Sequence, residues 1–384
     1  MVANRVEIQP DLLRWARERA GLTVDVLLQR FPRLRAWEEG SASPTIKQLE
    51  HFANATHTPV GFLFLKQRPE ESVPIPDYRT VRDAVVHRPS PDLLDMIYIC
   101  QQRQDWYRDH LRSASHETLQ FVGSARVADD VIDSAARIRH AVGLDLEERG
   151  RLPTWTDALR RLIDQVDALG VLVMVSGVVG SNTRRKLSPQ EFRGFALVDQ
   201  LAPLIFINGA DSKAAQMFTI AHELAHVFLG QSAVSDSQAL EVPTHLTEGW
   251  CNRVAAELLV PLEDVRKEHK RDAELAIEVS RLARRYKVST LVVLRRLYDA
   301  ERIERDVFRE AYADELDRIR EATSKGSGGN FYLTLGARSS KRFARALVGS
   351  ALEGHTPFTE AFRLLGFKKM STFNEVARTL GVRG

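Results

Sequence analysis

An α+β chain, helical at both ends with a small sheet between, is predicted by three observations. Short helical patterns broken by Gly, Pro and Ser fill residues 1–66. Three apolar or β-branched runs, bounded by glycine and proline, lie between Gly170 and Gly209 and read as strands. The last run leads into FTIAHELAHVFLG, residues 218–230, whose apolar flanks mark a buried helix, and helical patterns then continue through about Ala322.

Taken in order, QPDLLRWARERAG (residues 9–21) places Leu12, Leu13, Trp15 and Ala16 at helical spacing, with Pro10 near its start and Gly21 as a stop. Thr23 is a plausible N-cap for a second helix that ends at Phe31-Pro32. Another helix is expected to open at Pro44-Thr45, and a last one to run from Thr58-Pro59 through Phe64. Residues 67–90 are rich in Pro and charge and read as a linker. A helical segment over 91–150 follows, with helices expected near Asp92–His110 and Ala125–Val142. The runs VLVMVSGVV, FRGFALVD and PLIFING each read as one strand, the last two joined by a turn near Gln200 to Pro203. The remaining divisions are a central domain over 151–265, a helical extension over 266–323, and a basic helical segment over 324–384 that begins with the flexible joint SKGSGGN.

The chain's 384 residues are 44% hydrophobic and 27% charged, a globular composition long enough for two or three domains. The N-terminus lacks the apolar core of a signal peptide, and no apolar run reaches the roughly 18 residues of a membrane span, so a cytoplasmic protein without a membrane partner is expected. Two well-separated cysteines, Cys100 and Cys251, offer neither a disulfide framework nor a Cys-based zinc site. A metal must therefore be held by His and carboxylate. A formal charge of +3 is too mild to argue for nucleic acid. The segment from Lys325 onward is more biased, with ten basic residues against three acidic ones. A toxin or nucleic acid is the partner expected to dock on residues 330–384.

In HELAH, His222 and His226 stand four apart and share one helix face, so both imidazoles can reach one ion. Glu223, one step round, is placed to act on water as a general base, the arrangement of zinc-dependent hydrolases. Catalytic zinc takes three protein ligands and keeps one position open. The extended pattern H-E-x-x-H-x-x-G-x-x-H is absent, because Leu229 and Ser232 stand where it needs Gly and His. The third ligand must come from elsewhere. EGWCNRVAAELLVP, from Glu248, marks a second buried helix that stops before Pro261 and offers Glu248 as that ligand. Asn252, one turn further, could orient a ligand histidine. Glu241, His245 and Glu257 are rival ligands.

HELAH followed some twenty residues later by E-x-x-C-N-R-x-A-A-E-L-L-x-P resembles the ImmA/IrrE family of zinc metallopeptidases, over roughly residues 150–265. The resemblance implies a zincin-like domain in which His222, His226 and Glu248 bind Zn2+ and Glu223 activates water. It also implies a regulatory protein as substrate or partner: a repressor, antitoxin or toxin. One departure is Val254, where the family usually has Phe. His245 is a candidate for oxyanion stabiliser or proton donor. FRGFALVD is the edge strand expected to accept an extended peptide.

LLRWARERAGLTVDVLLQRF and LRAWEEGSASPTIKQLEHFANAT resemble an Xre/Cro-type helix-turn-helix domain, with Trp37, Glu38, Gly40 and Pro44 keeping the signature W-E-x-G-x-x-x-P. This implies DNA binding and transcription regulation. QRFPRLRA is shorter than the usual recognition region and contains Pro32, which counts against base reading. Arg30, Arg33 and Arg35 remain candidates for DNA phosphate contacts. The alternative function is a helix-turn-helix regulator or antitoxin whose peptidase-like domain binds a partner without cutting it. Trp106, Tyr107 and Trp155 are expected to pack in cores, and Cys251 to serve as a small buried hydrophobe.

Overall fold

The computed structural model describes residues 5–77, 89–235, 245–322 and 338–382. The chain divides into two compact units, residues 1–74 with 83–97 and residues 75–82 with 98–384.

The first unit opens with α1 (Pro10–Arg19), α2 (Val24–Leu28), α3 (Leu34–Glu38) and α4 (Ile46–Ala55). Thr45 and Gln48 form a capping box at the start of α4, each side chain satisfying the other's backbone N–H. The segment expected as a last α-helix is a 3-10 turn, Val60–Phe64. Leu12, Leu13, Trp15, Leu34, Trp37, Leu49 and Phe52 fill the core. The signature residues have structural duties here. Trp37 is buried, Glu38 binds Arg17 at 2.8 Å, and Gly40 turns the chain at φ +74° against Pro10.

The second unit contains most of α5 (Pro91–Ser113), then α6 (Val131–Val142), α7 (Leu146–Arg151) and α8 (Trp155–Leu169). The expected helix at Ala125 starts later because Asp130 caps α6 by accepting from the N–H groups of Ile132 and Asp133. The strands are β1 (Leu172–Ser176), β2 (Val178–Val179), β3 (Asn182–Lys186), β4 (Gly194–Leu197), β5 (Leu204–Asn208) and β6 (Ala233–Ser235). VLVMVSGVV is therefore two strands. The chain breaks at Gly177, where a side chain would press to 3.0 Å on the backbone of Ala210, and β2 pairs with β3 in a separate hairpin.

The main sheet has the order β1-β5-β4-β6, with β1 parallel to β5 and the other pairs antiparallel. FRGFALVD, expected at an edge, is the interior strand β4. Its outer side is taken by β6, too short to show any alternation in the sequence. Two long helices, α9 (Lys213–Leu229) and α10 (Leu246–Leu259), pack together, with α9 lying on β4 and β5. After them come α11 (Leu262–Glu268), α12 (Leu275–Tyr286), α13 (Thr290–Asp299) and α14 (Arg305–Ala322). Three further helices, Lys341–Leu352, Phe358–Leu365 and Met370–Leu380, close the described chain.

Buried Arg103 on α5 donates to the carbonyls of Leu364 and Arg338, tying the last helices to α5. SKGSGGN and residues 78–88 of the expected linker lie outside the described residues. Trp106 and Tyr107 pack edge-on to Phe343, and Trp155 donates to the Val288 carbonyl. No described helix is long and apolar enough to cross a membrane.

Candidate metal centre

Ser212 caps α9 by accepting from the Ala215 N–H, and Gly230 ends it in the left-handed conformation. Every residue from Gln216 to Leu229 is buried. The helix thus carries two imidazoles and a carboxylate into the interior, which is unfavourable unless they are satisfied together. His222 Nε2 and His226 Nε2 stand 3.2 Å apart. From α10, Glu248 brings Oε2 to 3.1 Å from His222 Nε2 and Oε1 to 3.0 Å from His226 Nε2. One donor atom from each residue lies within 4.8 Å of the others, and all three residues are buried. Two imidazole nitrogens and a carboxylate aimed at one point suit a divalent metal of the zinc type.

The charges in this cluster sort themselves. Burial would raise the Glu248 carboxyl, but His222 and His226 outweigh it and hold the pKa down to about 2. Burial also opposes charge on His222, yet Glu248, then Glu223 and Asn252, raise it above its ordinary value. His226 goes the other way: burial lowers it, and the hydrogen bond it donates to Glu248 does not make up the difference. Two adjacent imidazoles do not both take a proton readily. Asn252 lies near enough to His222 to favour its charged form, while Asn252 Oδ1 and His222 Nδ1 do not meet hydrogen-bond geometry with any partner.

Glu223 is fully buried, and neither carboxylate oxygen meets hydrogen-bond geometry with any partner. Burial pushes its pKa up to about 8 against the attraction of His222. Two neighbours here escaped the sequence reading. Ser235 on β6 is buried beside Glu223 and weakly favours its charged form. Gly194, paired with Ser235, has no side chain where one would meet Thr219 Cγ2 at 2.6 Å, the Phe206 carbonyl at 2.8 Å and Glu223 Oε1 at 3.2 Å. The glycine within FRGFALVD was the available signal, since glycine inside a strand often marks close approach. Gly194→Ala is expected to destabilise the fold by about 1–3 kcal/mol through overpacking. Thermal denaturation checks this, and an unchanged Tm counts against the close approach.

The C-terminal end of α10 is fixed by three arginines from other helices. Arg139 donates to the carbonyls of Glu257 and Leu258, Arg149 to Leu259, and Arg296 to Val260 at 2.7 Å. These carbonyls include helix-end groups that lack partners within the helix. Glu257 pairs with Arg296 and accepts from the Leu262 N–H. The rival ligand Glu257 is therefore corrected: it serves the arginine cluster, away from the two histidines. His245 is exposed at the N-cap of α10, and Glu241 lies outside the described residues. Arg30, Arg33 and Arg35 are exposed in the first unit. Arg35 pairs with Asp25 at 3.2 Å, and Arg30 lies over the Phe31 ring. Cys251 is buried and its thiol is pushed well up by burial, as expected of a packing residue.

This donor set, carried on two packed helices beside a small sheet, has the make-up of a metallopeptidase-type site. Residues 166–298 match the family model described as the IrrE N-terminal-like domain, Peptidase_M78. The match supports the ImmA/IrrE resemblance for the central region and extends past Pro261 through Arg296. Residues 339–379 match a domain of unknown function, DUF8813. No curated protein matches the chain.

Proposed function

We propose that the chain is a zinc-dependent endopeptidase that cleaves a regulatory protein of the repressor or antitoxin type. The observation that carries this reading is the convergence of His222, His226 and Glu248 beside a buried Glu223 whose oxygens have no hydrogen-bond partner. These three residues would hold Zn2+, with Asn252 steadying His222. When bound, zinc supplies Lewis-acid polarisation of the scissile carbonyl and makes water more acidic. Glu223 takes the proton from the attacking water and passes it to the leaving amine nitrogen. His245 is the candidate for supporting the oxyanion or donating a proton.

For the first unit we propose a helix-turn-helix-like role in which Arg30, Arg33 and Arg35 meet nucleic-acid phosphates. The shortness of α3, five residues, supports backbone contact over base reading. Metal content decides the central claim. Protein purified without added zinc is expected to hold about one zinc per chain, and His222→Ala and Glu248→Ala to lose it, because catalytic zinc needs three ligands. A wild type that stays empty after zinc is supplied sinks the proposal.

A further inference from the structure

Strand β6 ends the main sheet, and its outer side is already occupied by the chain itself. The Val234 N–H donates to the Pro76 carbonyl at 2.9 Å, and Asp77 pairs with Val234 in a parallel bridge. Ile75, Pro76 and Asp77 group with the second unit, although the residues before them, through Pro74, group with the first. Their place is next to the chemistry. Glu223 lies over the pair Gly194–Ser235, and Ser235 follows Val234 on the same strand. A backbone added outside β6 therefore runs one strand spacing, about 4.8 Å, beyond the strand that pairs with Gly194, the residue against which Glu223 packs.

We propose that Ile75–Asp77 is an internal strap that fills the peptide-binding edge of the site, so that an extended protein substrate can add to β6 only after the strap leaves. This rests on the proposed peptidase function and names the surface at which its substrate enters. An open sheet edge offers N–H and C=O groups to an extended peptide. Among those of β6, Pro76 takes the Val234 N–H.

The strap is built to be displaced. Continuing the parallel ladder towards Ser232 would need an N–H on Pro76, which proline lacks. Pro76 and Asp77 are exposed, and Ile75 is only half-buried. Among its described residues, the strap thus neither extends the ladder towards Ser232 nor fully buries its one aliphatic branched side chain, Ile75.

The test compares the full-length protein with the triple variant Ile75→Gly/Pro76→Gly/Asp77→Gly, both supplied with zinc. Two probes are titrated: a tripeptide hydroxamate, which needs both metal and strand edge, and acetohydroxamate, which needs the metal alone. The variant is expected to bind the tripeptide probe at least about tenfold tighter, roughly 1.4 kcal/mol, with acetohydroxamate unchanged. Equal tripeptide affinity in the two proteins overturns the strap.

Hydrogen exchange at the Val234 amide supplies a readout that needs no metal. It is expected to quicken in the variant while Ile205 in the sheet interior keeps its protection. If acetohydroxamate binds neither protein, the metal site fails and exchange alone judges the strap. Faster exchange at Val234 then supports it, and unchanged exchange overturns it.

Discussion

Glu223→Gln is expected to lower peptide-bond hydrolysis by a factor of about 10²–10⁴, the usual contribution of a positioned general base, with zinc content unchanged. Gln keeps the size and hydrogen-bonding shape of Glu but cannot accept the proton of water and pass it on. The side chain is fully buried over the Gly194–Ser235 pair, so an amide fits where the carboxylate sat. Metal binding is expected to survive because the donor cluster consists of His222, His226 and Glu248.

The assay is cleavage of β-casein, an unstructured general substrate, in wild type and in the background with the glycine strap. Metal analysis of each preparation accompanies it. A Gln variant that cuts at the wild-type rate rules out Glu223 as the base. One that loses both zinc and fold shows instead that the carboxylate has a structural duty. A protein whose role is to hold a partner without cutting it would keep its function in this variant, which separates the enzyme from the binding module.

The helix carrying this residue was legible because H-E-x-x-H fixes two side chains on one face, and the apolar flanks require that face to be buried. Glu248 and Asn252 were legible for a related reason. Four residues apart, they follow one helix face, and that face meets the two histidines. Gly194 carried a local signal, a glycine inside a strand, whose meaning depended on which helix came down on it. Ser235 carried none. Its strand has three residues and exists because β4 and Pro76 supply its partners.

The same limit explains the sheet edge. FRGFALVD has the composition of a strand, but whether a strand is interior or exposed depends on a partner far away in the sequence. VLVMVSGVV likewise reads as one run, and only the approach of Ala210 to Gly177 divides it. In the first unit, Trp37, Glu38 and Gly40 could be picked out as a signature. Their fold duties, core packing, an ion pair with Arg17 and a left-handed turn, are served whether or not the unit meets DNA.

Glu257→Ala is expected to destabilise the fold by about 3–5 kcal/mol, the usual loss when one partner of a buried ion pair is removed. Against a total stability of about 5–15 kcal/mol, that is a large share. Glu257 is 4% exposed and Arg296 5%, and Arg139 and Arg149 bring two more guanidinium groups to the same helix end. Burial already depresses Arg149 to about 10, with the nearby charge of Arg139 adding to the effect. Removing the carboxylate leaves this positive cluster with Asp264 and Asp299 as its nearby acids.

The phase of α10 separates this role from metal binding. Glu257 lies nine residues beyond Glu248, about two and a half turns, and so faces the opposite side of the helix. At temperatures where it remains folded, the Ala variant should therefore keep its zinc, whereas Glu248→Ala loses zinc. Glu257→Gln, which retains a hydrogen-bonding oxygen but no charge, should fall between wild type and Ala in Tm. A folded Glu257→Ala protein without metal would reverse the assignment of the two glutamates. An Ala variant as stable as wild type would mean that the arginines hold the helix carbonyls without a counter-charge.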